Sequence, residues 1–128
     1  MLTNLSIKNF ALIDALEVSF EDKFSIITGE TGAGKSILLG GLGLILGKRA
    51  DLSVINDSNK KCVVEAQFDI ANYKLERLFK QLELDYEANT IIRREILPSG
   101  KSRAFINDTP VSLQVLKNIS EELIDIHS

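Results

Sequence analysis

Cysteine is almost missing from this 128-residue chain, which has only Cys62. An internal disulfide is therefore excluded, and a reducing cytoplasm is the setting that such cysteine usage favours. Cys62 lies in an apolar segment typical of a strand. We therefore expect it to be a small core residue rather than a reactive one.

Long hydrophobic runs are also missing. The longest apolar stretch, residues 37–46, is interrupted by three glycines and is far shorter than the roughly 20 residues that span a bilayer. Residues 1–4 carry neither the basic start nor the small-residue cleavage site of a secretory signal. These absences predict a cytoplasmic protein that does not contact a membrane.

An excess of positive charge is the third absence. The formal net charge is −3, whereas a small domain that holds DNA by bulk electrostatics usually has the opposite balance. Lys101 and Arg103, with Arg93 and Arg94 nearby, form either a basic hairpin that touches DNA phosphates or simply a solvated hairpin. Both interpretations stay open at this point.

The hydrophobic pattern predicts an α/β fold with an antiparallel β portion. Residues 5–8 and 16–20 alternate apolar and polar side chains, and 24–28 is a short apolar run typical of a buried strand. The same criteria predict further strands at 62–70, 90–96 and 103–107, and a last strand that begins at 124. Helices are predicted from about 35 to 46, at 73–84, and from a Ser112 cap to 123.

One motif carries the chemistry. Residues 29–36 match G-x-x-x-x-G-K-[ST] in full, with the residues Gly29, Glu30, Thr31, Gly32, Ala33, Gly34, Lys35 and Ser36. The glycines let the backbone approach an anion closely, so that successive N–H groups form a nest for phosphate oxygens. The helix that follows adds the dipole and free N–H groups of its first turn. The motif predicts a P-loop that binds a nucleoside triphosphate.

Two side chains of the motif have specific roles. Lys35 is expected to reach the β- and γ-phosphates as a point charge, and the Ser36 hydroxyl is expected to ligate Mg²⁺. The alternative is a glycine-rich strand-to-helix turn without a ligand. The apolar strand before the motif and the helix after it favour the P-loop. ATP with Mg²⁺ is the expected ligand, although the motif itself does not identify the base.

Hydrolysis has weaker support than binding. A P-loop hydrolase also needs an acidic residue at the end of an apolar strand to hold Mg²⁺. After the motif, no run of four apolar residues ends in Asp or Glu, and Asp125 is the nearest candidate. His127, the only histidine, is more typical of a strand end than of a base. No catalytic residue is predicted.

Five segments resemble the RecN family of bacterial DNA-repair ATPases: 7–13, 28–39, 46–51, 103–107 and 123–127. RecN proteins are similar to the SMC proteins (structural maintenance of chromosomes), whose ABC-type ATPase head is split in sequence by a long coiled coil. The resemblance implies that residues 1–128 are the N-terminal lobe of such a head, without the coiled coil and the C-terminal lobe. It also implies ATP binding by a protein of recombinational double-strand-break repair.

The family pattern implies partners and further site residues. The C-terminal lobe would supply the signature motif, the acidic strand and a switch histidine, and ATP would lie between two heads. This lobe alone should therefore turn ATP over negligibly. DNA and a nucleoid location are implied for the full-length protein. Lys8 and Asn9 would lie near the base and ribose, or else at an exposed strand end. Arg49 would lie near nucleotide or DNA, or else in a solvated loop.

Two other functions stay open. A complete small P-loop kinase would need an acceptor site and an arginine-bearing lid, for which the chain is short. A non-catalytic docking module would keep the fold without binding ATP.

Overall fold

A six-stranded antiparallel sheet organises the part of the chain that the structure describes. The computed structural model describes residues 1–20, 32–50 and 52–125. The strands are β1 (Leu2–Phe10), β2 (Ile13–Ser19), β3 (Cys62–Asp69), β4 (Asn89–Ile96), β5 (Ser102–Ile106) and β6 (Thr109–Val111). Their spatial order is β2-β1-β3-β4-β5-β6, and every neighbouring pair is antiparallel. The predicted antiparallel β portion is thus confirmed.

One face of the sheet carries the core. Because side chains alternate along a strand, every second residue points to this face, and those of β3 are at most 1% exposed: Cys62, Val64, Ala66 and Phe68. Leu5 and Ile7 of β1 continue the core on one side, and Ile92 and Ile96 of β4 continue it on the other. The opposite face carries the intervening residues, which include Lys8, Glu65, Arg93 and Arg103.

The helices are α1 (Gly32–Ile45), α2 (Glu76–Gln81) and α3 (Leu113–Asp125), and Leu52–Val54 forms a short 3₁₀ turn. The α2 helix is shorter than the predicted 73–84. Lys74 has φ of 55° and Glu83 has φ of 59°. These left-handed residues flank α2 and prevent the helix from continuing at either end.

Glycines set the distance between α1 and the sheet. A Cβ added to Gly41 would lie 2.6 Å from Ile7 Cδ1, so the helix backbone rests directly on β1. After the helix, Gly47 has φ of 92° and donates to Leu44 O, while Lys48 N–H donates to Gly43 O. This pair of bonds is the Schellman ending that glycine favours. The predicted helix end at Gly47 is confirmed.

The second half of the sheet ends in an element that the sequence did not predict. Asn107 and Asp108 have φ of 48° and 67°, which turns the chain tightly and lets β6 pair with β5. Pro110 lies in the middle of β6, where it cannot donate a ladder hydrogen bond. It is tolerated because β6 is the edge of the sheet, where a missing N–H is not needed.

The last helix is longer than predicted. Val115 N–H donates to Ser112 Oγ at 3.2 Å, so the predicted cap of α3 is confirmed. The strand predicted to begin at 124 is wrong for Ile124 and Asp125, because both belong to α3. The pattern of apolar residues in α3 continues the helical period through Leu123. His127 and the predicted strand at 24–28 lie outside the described residues.

Candidate nucleotide-binding site

The amino end of α1 carries the second half of the P-loop motif. Gly32, Ala33, Gly34, Lys35 and Ser36 form its first residues, while Gly29, Glu30 and Thr31 lie outside the described residues. The first turn of a helix has N–H groups without partners inside the helix and the positive end of the helix dipole. No acidic residue lies in this turn of α1. The described end of the motif is therefore electrostatically suited to an anion.

Lys35 and Ser36 are both exposed. Within the described ranges, no carboxylate forms a salt bridge with Lys35. The Lys35 ammonium is thus not neutralised by those residues and stays accessible to a phosphate. Residues 29–31 lie outside the described residues, so the phosphate nest expected there stays a prediction.

The carboxyl end of α1 is anchored by two other elements, β4 and α3. Arg94 Nη1 on β4 donates to Leu44 O at 3.0 Å and to Lys48 O at 2.8 Å. Ser120 Oγ on α3 donates to Ile45 O at 2.8 Å, and this bond is buried. Carbonyls at a helix end lack partners within the helix. These side chains supply them and attach the helix to the sheet and to α3.

Asn9 has a structural role that sequence reasoning missed. It is only 8% exposed, and its Nδ2 lies 3.0 Å from both Asp57 O and Lys60 O and 3.3 Å from Lys61 O. Its Oδ1 accepts from Asp57 N–H at 2.7 Å, and its φ is 56°. The side chain therefore holds the loop before β3. Its predicted contact with base or ribose stays a prediction, but the exposed strand end considered as the alternative does not describe Asn9.

Lys8 and Arg49 are exposed. Lys8 lies on β1 opposite Ala15 and Val63, on the sheet face away from α1. Arg49 follows Lys48, whose carbonyl accepts from Arg94. In the described part of the chain, neither Lys8 nor Arg49 forms a salt bridge. Their predicted roles near a nucleotide therefore stay predictions.

The arginines of the proposed basic hairpin do not form one surface. Arg94 is buried beneath α1, whereas Arg93 is on the opposite face with its guanidinium 4.3 Å from the Phe105 ring centre. Glu95 on that face is paired with Lys61 at 3.2 Å and with Arg93 Nε at 3.3 Å. Arg103 Nη1 is 4.0 Å from the same carboxylate. The face is thus a mixed charge network instead of a purely basic patch.

The described residues hold no metal-binding cluster, and their single thiol is buried. None of their His, Cys, Asp and Glu side chains form a group of three that would hold a metal ion. Cys62 is fully buried, and desolvation raises the pKa of its thiol to about 11, against the smaller opposing effect of the Arg94 charge. The thiol therefore stays protonated and unreactive in the folded chain. The predicted core role of Cys62 is confirmed.

Comparison with known proteins agrees with the motif and the fold. Residues 4–127 match the AAA domain family. The chain belongs to that family. It is 43% identical over 128 residues to the DNA repair protein RecN of Vibrio cholerae, and 37% identical over 129 residues to RecN of Bacillus subtilis. These alignments cover 99% of the chain but only 23% and 22% of the relatives. The predicted resemblance to RecN is confirmed.

Solved structures show the same fold. An SMC ATPase, described for ATP-driven dimerization and DNA-stimulated activation, has a TM-score of 0.74 at 19% identity and covers 96% of this chain and 79% of its own. The SMC head domain of Thermotoga maritima has a TM-score of 0.60 at 17% identity, covering 92% and 41%. The predicted fold, an N-terminal lobe of an SMC-type head, is thus confirmed. No helix in the described ranges has the length and apolarity needed to cross a membrane.

Proposed function

We propose that this chain binds ATP with Mg²⁺ through residues 29–36. The observation that carries the proposal is the position of Lys35 and Ser36, which are exposed at the amino end of a helix whose first turn has no acidic residue. A triphosphate there would meet the helix dipole and the Lys35 ammonium together. Ser36 would supply one oxygen to Mg²⁺, and the phosphates and water would supply the others.

The activity of a larger protein is part of the same proposal. The chain spans about a quarter of the length of the curated relatives it matches, 23% for the Vibrio cholerae protein. We propose that it acts as the N-terminal lobe of a RecN-like ATPase head in recombinational double-strand-break repair. A C-terminal lobe and a second head complete the ATP site, and the full protein contacts DNA in the cytoplasm at the nucleoid. ATP turnover by residues 1–128 alone is expected to be negligible.

The apolar surface of α1 supports the proposal that another lobe of the head packs against this helix. No charged residue occurs between Lys35 and the end of the helix. Leu39 is 60% exposed, and Leu38, Leu42 and Leu46 are half-buried. A helix that is apolar on all sides is normally covered on all sides. An additional layer of the same head, packed on this leucine-bearing side, would remove that apolar surface from water.

Titration of the purified chain with a fluorescent ATP analogue, with and without Mg²⁺, tests the proposal. We expect saturable binding that Mg²⁺ strengthens. Lys35→Ala is expected to weaken it by at least about tenfold, because a charge is removed from a site for a polyanion. Lys101→Ala is the matched control: Lys101 is also exposed, but it lies in the β4–β5 turn, and its loss should leave the affinity unchanged.

The alternatives give different results in this titration and in a separate phosphate-transfer assay with several small acceptors. Absence of binding by the wild-type chain would contradict the proposal and favour a docking module. Transfer of phosphate from ATP to a small acceptor by this chain alone would favour a kinase. Equal affinity in Lys35→Ala and wild type would reject the assigned role of Lys35.

A further inference from the structure

We infer that Arg94 is a positioning residue for the phosphate-binding end of α1, an inference that rests on the proposed ATP site. Arg94 belongs to β4 and lies beneath the carboxyl end of the helix, with 1% of its surface exposed. Lys35 and Ser36 are at the other end of the same helix. Arg94 would act on the nucleotide only through the placement of α1.

The guanidinium of Arg94 joins three segments of the chain. Nη1 donates to Leu44 O in α1 and to Lys48 O in the segment that follows, at 3.0 and 2.8 Å. Nε donates to Ser102 Oγ in β5 at 2.8 Å. The planar guanidinium fixes the directions of these bonds relative to one another. A shift of α1 along its axis would therefore strain both bonds from Nη1, while Ser102 holds the guanidinium in place on the sheet.

The positively charged guanidinium of Arg94 also faces the carboxyl end of α1. No carboxylate of the described residues forms a salt bridge with it. The groups that compensate the buried cation are instead the carbonyl oxygens at the carboxyl end of α1, which is the negative end of the helix dipole. Burial lowers the pKa of Arg94 relative to a solvated arginine, with a smaller opposing effect from Cys62. Removal of the cation would leave those carbonyls without their buried donor.

Close packing links the position of the carboxyl end of α1 to the position of its amino end. Leu44 follows Lys35 by nine residues, about 14 Å along the helix axis at about 1.5 Å per residue. Between them, Gly40 and Gly41 place the helix backbone against Phe10 and Ile7 of β1. A packed interior has few voids into which a helix can relax. Loosening the Arg94 end is therefore expected to tilt or slide α1 and misplace Lys35 and Ser36.

Three substitutions separate this positioning role from general stability. Arg94→Met removes the charge and all donors at similar length, Arg94→Lys keeps the charge but not the planar donor set, and Ser102→Ala removes only the partner of Nε. Phe79→Leu is the matched control. Phe79 is fully buried in α2, in edge contact with Tyr86, and lies outside the contacts of α1 described above. It should lower the Tm without moving α1.

The readouts are Tm, the affinity for ATP with Mg²⁺ well below each Tm, and the amide NMR shifts of Lys35 and Ser36 without nucleotide. For Arg94→Met we expect ATP affinity about tenfold weaker, because displaced Lys35 and Ser36 would contact the phosphates and Mg²⁺ less closely. Arg94→Lys should recover part of the loss, and Ser102→Ala should show a smaller one. Phe79→Leu should keep wild-type affinity even with an equal fall in Tm.

The results distinguish failure of this inference from failure of the ATP site. If the wild type binds ATP and folded Arg94→Met binds it equally well, the positioning role is refuted while the site stands. If Arg94→Met does not fold, equal affinity of Arg94→Lys, Ser102→Ala and wild type refutes it. If the wild type binds no ATP, the proposed function fails, and the NMR shifts alone test the positioning role. Unchanged amide shifts of Lys35 and Ser36 in Arg94→Lys would then refute the link between Arg94 and the amino end of α1.

Discussion

The ring of Phe10 occupies the space that a side chain at Gly40 would need: a Cβ added there would lie 2.8 Å from Phe10 Cζ. One residue later, the same construction at Gly41 gives 2.6 Å to Ile7 Cδ1. The proposed phosphate-binding helix thus rests on β1 at a separation that only glycine permits. The cost of glycine in a helix, about 1 kcal/mol relative to alanine, is offset by this contact.

Gly41→Ala is therefore expected to destabilise the chain. Ile7 is fully buried, and packed interiors contain few voids into which a side chain can move. We expect a loss of about 1–3 kcal/mol from overpacking, reduced by the higher helix propensity of alanine. Urea unfolding monitored by circular dichroism measures this loss as a lower midpoint at unchanged slope.

Gly43→Ala is the matched control in the same helix. A Cβ at Gly43 would lie 3.2 Å from Lys48 Cδ, which belongs to a flexible and exposed side chain. We expect no loss of stability, or a gain of up to about 1 kcal/mol from helix propensity. Equal losses in Gly41→Ala and Gly43→Ala would contradict the close contact between α1 and β1.

The fold was largely predictable because its signals are local. Local sequence pattern predicted the strands at 62–70 and 90–96, and Ser112 and Gly47 predicted helix boundaries. Arg94 was missed for a different reason: it was grouped with Arg93 as one basic surface, although neighbours in a strand point to opposite faces. Arg94 shares its parity with Ile92 and Ile96. This available signal indicates a buried arginine.

The role of Asn9 could not be predicted from sequence. Its partners lie about fifty residues away in the chain, between Asp57 and Lys61, and no local pattern links them to β1. The same limit applies to the end of α3. The residues Ile124 and Asp125 fit a helix or a strand equally well by local pattern, and only the continuation of α3 decides between them.

Asn9→Ala is expected to release the loop before β3. The substitution removes the acceptor of Asp57 N–H and the donor to three carbonyls. A buried group left without its partner costs about 1–3 kcal/mol, and alanine tolerates the left-handed φ of 56° less well than asparagine. Thermal unfolding and amide hydrogen exchange at Asp57 should both report the change.

The neighbouring Asn56 provides the control for Asn9. Its Nδ2 contacts Ile13 O and Asp14 Oδ1 at 3.3 and 3.2 Å, but both bonds are exposed. Asn56→Ala is therefore expected to change stability by no more than about 0.5 kcal/mol. If Asn9→Ala is as mild, or if it weakens ATP binding without any effect on the loop, the structural role assigned to Asn9 is wrong.

Glu95→Gln should show that a buried ion pair contributes more to the free energy of unfolding than an exposed one on the sheet face opposite the core. The Glu95 side chain is 7% exposed and lies 3.2 Å from Lys61 and 3.3 Å from Arg93. We expect a loss of about 1–3 kcal/mol, below the figure for a fully buried pair because Lys61 is half exposed. Asp108→Asn removes a 90% exposed partner of the same Arg93 and should cost less than about 0.5 kcal/mol. Similar effects of the two substitutions in urea unfolding would contradict this ranking.

Ionisation of the Cys62 thiol is expected to make the stability of the chain depend on pH in the alkaline range. Burial raises its pKa from 9.0 to about 11 in the folded chain. Between these values the unfolded chain loses the proton while the folded chain keeps it, so ionisation favours unfolding. The contribution is fully present below pH 9 and is lost as pH rises through about 11. The contribution of the thiol to the free energy of unfolding is at most about 2–3 kcal/mol, because each pKa unit corresponds to about 1.4 kcal/mol.

Cys62→Ala isolates this effect, because it removes the thiol and keeps the other groups that ionise at high pH. The pKa of Tyr86 is also raised, mainly by desolvation, so both proteins share its contribution. Urea unfolding at several pH values from neutral to alkaline should show a steeper decline for the wild type than for Cys62→Ala. Alkylation of Cys62 should be slow in the folded chain and should accelerate with the urea concentration that opens the sheet, since the thiol is fully buried. Parallel pH profiles, or rapid alkylation without urea, would mean that Cys62 is not held in the core beneath α1.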